Sequence, residues 1–287
     1  MKKILAVSGG VDSMVMLDLM CEKFPKKELI VATFDHGTRE SAKEDVEFVC
    51  EKARALGLRE VYKGAAELGD GASEEEARAE RYAFLREVTE QEGGEIWTAH
   101  HLDDLVETVV INFLRGTGVR GLAALNAPNV RRPFLDGTFG EVFDKRAIWK
   151  YAAKNEITFR QDPTNASDEY LRNRVRPRVL KMDFEQKMEI YELWRKQKKV
   201  VSEIDKIVSS LMPEDGKFER AWFKEMDENV AMEILRGALM KAKVSATRPQ
   251  MKDFLKAIKE YAPGKKFNLP GDKLVRLGRE DFTLEMC

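Results

Sequence analysis

The sequence predicts an α/β fold, a doubly wound parallel sheet followed by a second, smaller helical domain. In the first half, short β-prone apolar runs alternate with longer amphipathic stretches, the pattern of parallel strands joined by crossover helices. After Met182 the β signal fades and helical periodicity dominates. Between these halves, residues 126–143 are punctuated by Pro and Gly, as expected of loops at the rim of a site. The boundary is therefore expected at 182/183, giving a sheet domain over 1–182 and a helical domain over 183–287 that ends in a hairpin.

Strands are expected at 4–7, 29–34, 60–62 and 96–99, because these runs are rich in β-branched, aromatic and other apolar residues and are bounded by turn formers. The intervening helices are expected at 12–23, 41–56, 73–91 and 102–115. Ser73 followed by Glu76 resembles a capping box, and Gly93-Gly94 supplies a helix stop. A further helix is expected within 144–154, before the loop around Asp162-Pro163. The second half predicts helices at 184–212, 220–226, 229–242 and 249–261. In the tail, Pro270-Gly271 between two β-prone runs reads as a hairpin turn. There is no internal repeat and no low-complexity segment.

A chain of 287 residues, 43% of them hydrophobic, can bury one large core and a smaller one. No run approaches the roughly 18 apolar residues of a membrane span. The opening Met1-Lys2-Lys3 leads into a strand and a glycine turn rather than a signal-peptide core, so a cytoplasmic protein with no membrane contact is expected. Lys and Arg (49) nearly balance Asp and Glu (50), which excludes a globally basic protein but not a basic face. Cys21, Cys50 and Cys287 are widely spaced and form no CxxC pair, so they read as unpaired thiols, not as a disulfide framework or a four-cysteine metal site.

Val7-Ser8-Gly9-Gly10-Val11-Asp12-Ser13 follows a strand and opens a helix, where backbone amides and hydroxyls converge on the helix's positive end and favour an anion. An isolated Gly-Gly turn is more often structural, but Ser8, Asp12 and Ser13 in this context favour phosphate binding. The lysine and spacing of a Walker A loop are absent. The run SGGVDS resembles the SGGxDS loop of the PP-loop ATP pyrophosphatases, which cleave ATP between its α and β phosphates. That resemblance implies ATP binding by Ser8, Gly9, Gly10, Val11, Asp12 and Ser13, with Asp12 orienting Mg²⁺. It also assigns adenine and ribose contacts to the end of the second strand, at Phe34 and Asp35.

A second block, Thr98-Ala99-His100-His101-Leu102-Asp103-Asp104-Leu105-Val106-Glu107-Thr108, lies where another strand ends and a helix begins. In a parallel sheet the strand ends gather on one edge, so both blocks should face one crevice. Asp104 and Glu107, or Asp103 and Glu107, share a helix face and could hold an ammonium group or Mg²⁺, although an isolated acidic first turn is more often just dipole-favoured. His36, His100 and His101 all fall at expected strand ends, yet no further ligands recur at zinc spacing.

The block continues through Asn112-Phe113-Leu114-Arg115-Gly116-Thr117-Gly118-Val119-Arg120-Gly121-Leu122 and is similar to AHHxDDxxETxLxxLxRGxGxxGL, the hallmark of the tRNA(Ile)-lysidine synthetases. Residues 76–82 resemble that family's EAxARxxRY helix. Asp162-Pro163-Thr164-Asn165 with Arg172-Asn173-Arg174-Val175-Arg176 resembles its DPTN…RNxxR signature. Leu269-Pro270-Gly271 resembles its LPGG element, with Asp272 in place of the second glycine. The chain is shorter than many members of that family, so its tRNA discrimination is expected to rest on fewer contacts.

The resemblance implies an ATP-dependent, AMP- and pyrophosphate-forming ligase acting on tRNA(Ile) with a CAU anticodon and on free L-lysine. The catalytic residues expected are Asp12, Asp104, Glu107, Arg78 and His101. Asp104 and Glu107 are expected to bind the lysine, one of them accepting its proton, and Arg78 to stabilise the adenylate phosphate. Arg172, Arg174, Arg176, Arg178 and Lys181 form a basic run expected to meet tRNA phosphates, and Arg172 and Arg176 are within reach of the crevice. Alone, such a run would more often be a solvated face. A homodimer is left open. The competing expectations are a PP-loop tRNA thiolase, whose usual paired cysteines this chain lacks, an amidotransferase-type synthetase such as those for GMP or NAD, for which no matching motif is seen, and a nucleotide-dependent RNA-binding protein without chemistry.

Overall fold

The computed structural model describes residues 1–35, 37, 42–58, 60–66, 74–127, 129–160, 170–271 and 273–284. The chain divides into two compact units, Met1–Lys198 and Lys199–Cys287.

The first unit is built on β1 (Lys2–Ala6), β2 (Leu29–Asp35), β3 (Val61–Ala65), β4 (Gly94–Thr98) and β5 (Val130–Arg131). They are all parallel, in the order β3-β2-β1-β4-β5. The apolar runs of β1 and β2 follow from cover on both faces: Ile4, Leu5, Ile30 and Val31 are fully buried. Strand alternation sends Leu5, Val31 and Trp97 against α1 (Val11–Lys23), α2 (Ala42–Ala55) and α6 (Lys145–Lys154). It sends Ile4, Ile30 and Ile96 against α3 (Glu74–Glu92). Helix α1 lies between the sheet and α6, so Met14, Val15, Met16, Leu17 and Met20 are buried around more than one face of it.

A third cluster joins α4 (Leu102–Leu114), α7 (Tyr170–Lys181) and the start of α8 (Phe184–Ser210), with Val106, Val175, Val179 and Trp194 in its centre. The short α5 (Val119–Leu122) packs on α4.

The expected strands and helices occur with shifts of a few residues at their ends. Besides short pieces at 26–28, 119–122 and 217–219, two elements near the site were not foreseen. Strand β5 has two residues and falls inside the stretch read as loop. Helix α7 holds Pro177 in its interior and is rich in arginine, which hides its apolar spacing. Val175 and Val179, four apart, still present one apolar stripe to α4. The capping box expected at Ser73 lies outside the described residues, whereas Gly93 ends α3 at φ +68 as expected.

The second unit contains β6 (Lys217–Glu219), α9 (Arg220–Glu225), α10 (Glu228–Lys241), α11 (Arg248–Glu260), β7 (Lys266–Leu269), β8 (Lys273–Arg276) and β9 (Asp281–Thr283). Phe223, Leu235, Phe254 and Phe282 form its core. Buried Arg220 ties three segments together by donating to the carbonyls of Ile258, Tyr261 and Gly278 at 2.7–2.8 Å. The expected hairpin is β7–β8, turning at Gly271 with φ +76, and β9 instead pairs antiparallel with β6. Among the described residues no helix is long and apolar enough to cross a membrane.

Candidate functional site

Strands β1 and β4 are neighbours, with Ala6 opposite Thr98, and from β1 the sheet grows to β2 on one side and to β4 on the other. Where strand order switches in this way, the turns beyond the two strands part and leave a crevice at the carboxyl edge. Ser8 and His100 each lie two residues past those paired ends, so topology alone brings the two sequence blocks to that crevice.

In the first turn, Gly9 has φ +84, a conformation that side chains disfavour and that swings the chain from β1 into α1. Gly10 caps α1 with no side-chain bond, which leaves the first-turn amides without a side-chain cap where an anion is favoured. Ser13 braces the loop: its Oγ accepts from Ser8 N at 3.2 Å, donates to Gly10 O at 2.9 Å and lies 3.3 Å from Ser8 Oγ. Arg160 N donates to Gly9 O at 2.9 Å. Asp12 opens α1 and is gripped by Lys145 Nζ, 2.7 and 2.8 Å from its two carboxylate oxygens.

In the second turn, neighbouring residues have opposite roles. The imidazole of His101 lies among carboxylates: Nε2 is 3.4 Å from Asp104 Oδ2 and 3.7 Å from Asp12 Oδ1, and Nδ1 is 3.6 Å from Asp103 Oδ2. These are ion-pair separations, longer than hydrogen bonds, and Nδ1 has no hydrogen-bond partner among the described residues. Burial opposes protonation, but Asp104, Asp103 and Asp12 together raise the pKa of His101 above its ordinary value. His100 Nδ1 lies 2.8 Å from Thr98 Oγ1. Burial, reinforced by Arg132, Arg78 and Arg81 against the pull of Asp104, drives its pKa down to about 3 and keeps it neutral.

Asp103 and Asp104 differ just as sharply. Asp103 is buried, its Oδ1 accepting from Lys187 Nζ at 2.7 Å and its Oδ2 from Lys145 N at 2.8 Å. Lys187 is only 1% exposed and lies 3.5 Å from Asp144, which caps α6 by accepting from Ala147 N at 2.8 Å. Burial raises the Asp103 carboxyl's pKa, but His101, Lys187 and the Lys145 amide outweigh it and hold it well below the carboxylate range. Asp103 is thus a brace between α4, α6 and α8. Asp104 keeps a side chain 33% exposed, accepts from His101 N at 2.9 Å, and is held below its ordinary pKa against burial by His101 and His100. Of the two carboxylates the sequence could pair with Glu107, Asp104 is the one left accessible.

Glu107, one turn on, is buried and accepts from Arg176 Nε at 3.2 Å. Burial raises its pKa despite the opposing guanidiniums of Arg176 and Arg172. Helix α7 therefore splits the basic run. Arg172 and Arg176 lie on the side toward Glu107, while Arg174, Arg178 and Lys181 are exposed, with Arg178 Nη1 donating to Arg174 O at 3.0 Å.

Arg78 is exposed on α3, its guanidinium 5.0 Å from the centre of the Tyr82 ring. Phe34 packs on Phe84 at 5.5 Å beside Gly64, where a Cβ would stand 2.6 Å from Phe34. Asp35 accepts from Gly37 N at 2.8 Å. His36, residues 162–165 and Cys287 lie outside the described residues. The residues that sequence reasoning missed are Lys145, Lys187 and Arg132. Lys145 carried one signal, its place at the start of an expected helix just after the loop stretch. Lys187 was one charge in a charge-rich segment and Arg132 one of two adjacent arginines in the loop stretch, with no local pattern to mark either.

Residues 1–183 match the family model of the PP-loop domain. The chain is 34% identical over 250 residues to a tRNA(Ile)-lysidine synthase of Thermosipho africanus, a match covering 83% of this chain and 57% of the relative. Relatives of the same name from Enterococcus faecalis and Thermotoga maritima are 36% and 37% identical over 62% of this chain. The chain spans 39% and 44% of their lengths. Among solved structures, the U34-tRNA thiolase NcsA of Methanococcus maripaludis with its [4Fe-4S] cluster shares the fold, with TM-score 0.55 and 20% identity over 69% of this chain and 72% of that one.

Proposed function

The chain belongs to the PP-loop domain family, and on that premise we propose that it is a tRNA(Ile)-lysidine-forming ligase acting in the cytoplasm. One observation carries the reading. The phosphate-binding turn and the accessible Asp104, with buried Glu107 one turn behind it, stand at one sheet edge, linked through Asp12 to Lys145 and to His101. A site for ATP chemistry thus lies beside a site that suits a cationic amine. The names of the relatives support the same reading, although the chain spans only part of their lengths.

The C2 oxygen of the wobble cytosine is a poor leaving group until it is joined to AMP. In the proposed first step that oxygen attacks the α-phosphate of ATP, and pyrophosphate departs into the turn of Ser8, Gly9, Gly10, Val11 and Ser13, whose amides and hydroxyls stabilise it. Phe34 and Asp35 are assigned to the nucleoside end. The turn fits a polyphosphate: its glycine backbone is uncapped and its hydroxyls are already oriented. Mg²⁺ would enter with the phosphates, sharing Asp12 with Lys145 and adding positive charge at the leaving group. Arg78 is assigned to the charge on the α-phosphate.

In the second step the ε-amine of free lysine displaces AMP at C2. The amine arrives protonated, since its ordinary pKa is about 10.4, and must lose that proton before it can attack. Asp104, held anionic, is suited to bind the ammonium. Glu107, with its pKa raised by burial, is the better proton acceptor, and the two environments push the carboxyls apart in the sense an acid–base pair requires. Arg174, Arg178 and Lys181, exposed on α7, are assigned to tRNA phosphates. Incubation with ATP, labelled lysine and a tRNA bearing a CAU anticodon tests the reading: label is expected in the RNA, with AMP and pyrophosphate released in equal amounts. Pyrophosphate release without label in the RNA would defeat it.

A further inference from the structure

Beside His100, on the α3 face of the sheet, lies a cationic cluster that the chemistry above leaves unused except for Arg78. Arg132 directly follows β5 and so stands at the same carboxyl edge as His100 after β4. It is 6% exposed, its Nη1 donates to Val130 O at 3.3 Å, and its Nε has no hydrogen-bond partner among the described residues. The hydroxyl of Tyr82 is likewise buried and without a partner, and the guanidiniums of Arg78 and Arg81 lie 5.0 and 5.7 Å from its ring centre. Asp136, a carboxylate that acts on Arg132 electrostatically, already accepts from Arg131 Nε at 2.9 Å.

A buried guanidinium with an unmade bond, beside other guanidiniums and an unmade hydroxyl bond, is costly as it stands. That cost is offset by an anion that accepts from both groups. Tetrahedral phosphate oxygens suit it, because one group can take the Arg132 N–H, the Tyr82 O–H and the charge of Arg78 together. Burial and the like charge of Arg78 hold Arg132 below its ordinary pKa, and Arg132 adds to the burial that does the same to His100, the condition an incoming anion would relieve.

We propose that Arg132 and Tyr82, with Arg78 beside them, form an anion site for a phosphate ester at the edge of the His100 cleft, an assignment that rests on the RNA-modifying reading above. The ester is either a backbone phosphate flanking the target nucleotide or the α-phosphate of the nucleotide, and the two sources separate by experiment.

Full-length protein carrying Arg132→Met, Arg132→Lys or Tyr82→Phe is titrated with an anticodon stem-loop RNA over a series of salt concentrations, and separately with a non-hydrolysable ATP analogue, with thermal melts alongside. For a backbone phosphate, Arg132→Met weakens RNA binding about tenfold or more and lowers the salt slope by about one, with the ATP analogue unaffected. For the nucleotide phosphate, the same loss falls on the ATP analogue and RNA affinity holds. In either case Arg132→Lys recovers part of the loss, and Tyr82→Phe, which removes only the hydroxyl, gives a smaller loss on the same ligand. Unchanged affinity for both ligands in an Arg132→Met protein that melts like wild type overturns the site. So does an unaffected Tyr82→Phe if Arg132→Met fails to fold, and so does a wild type that binds neither ligand. A wild type that binds both ligands but transfers no lysine defeats the enzymatic reading instead, and leaves the anion site to be judged on the binding data.

Discussion

The two strand-to-helix turns that face each other across the crevice meet opposite demands. The turn after β1 offers amides, two hydroxyls and one carboxylate, and that carboxylate, Asp12, is half-buried between Lys145 and His101. The turn after β4 packs Asp103, Asp104 and Glu107 into two helical turns, and each already has a cation in Lys187, His101 or Arg176. An anion can be received by backbone dipoles that cost little when the site is empty. A cation needs fixed negative charge, and fixed negative charge inside a protein survives only with partners supplied from elsewhere in the chain. The first turn therefore takes little from outside, Lys145 at Asp12 and the Arg160 amide at Gly9, while the second depends on α6, α7 and α8.

The largest test of this contrast is Lys187→Met. It strands Asp103 and Asp144 in the interior and should cost about 3–5 kcal/mol in urea unfolding. Lys145→Met, facing an Asp12 whose side chain is 31% exposed, should cost far less. Equal losses would erase the distinction between the two turns.

Next in size, Asp104→Asn should cut lysine transfer by roughly 10²–10⁴-fold while ATP-analogue binding stays normal. Its counterparts across the crevice, Ser8→Ala and Asp12→Ala, should lower ATP–pyrophosphate exchange by about 10²–10³-fold. Variants with their defects exchanged, lysine transfer lost from the first turn and adenylation from the second, would reverse the assignments.

A smaller effect separates stability from chemistry within the second turn. The folded pKa of Glu107 is raised, so the stability it contributes is complete below its ordinary value of 4.5 and is lost as pH rises through the folded value. Glu107→Gln removes that loss. The difference in Tm, variant minus wild type, should therefore grow from pH 4.5 toward pH 8, even as lysine transfer fails. A difference that shrinks over that range would mean the Arg176 pair outweighs burial. The smallest effect is spectroscopic. In nitrogen-15 spectra His100 should stay neutral down to pH 5, whereas His101 should titrate above its ordinary 6.5 and drop toward it in Asp104→Asn.

Much of this was legible locally. The glycine pair after the first strand, the acidic first turn of α4 and the alternation of apolar runs are short-range patterns, and short-range patterns set turns, caps and faces. What escaped was long-range. Arg176 meets Glu107 across 69 positions, Lys187 meets Asp103 across 84, and Lys145 meets Asp12 across 133. No spacing rule marks a lysine whose partner is brought to it by the fold. The two-residue β5 escaped for a related reason: it pairs only because β4 presents an open edge beside it.

By itself the sequence determined the kind of chemistry, since residue types at a strand-to-helix turn carry their own electrostatics. It also determined that two such turns would meet, because parallel strands collect their ends on one edge. The tertiary structure alone decided which carboxylate of the Asp103-Asp104 pair is free to act. That choice depends on which one the Lys187 ammonium and the Lys145 amide reach, and those groups arrive from α8 and α6 only once the core has closed.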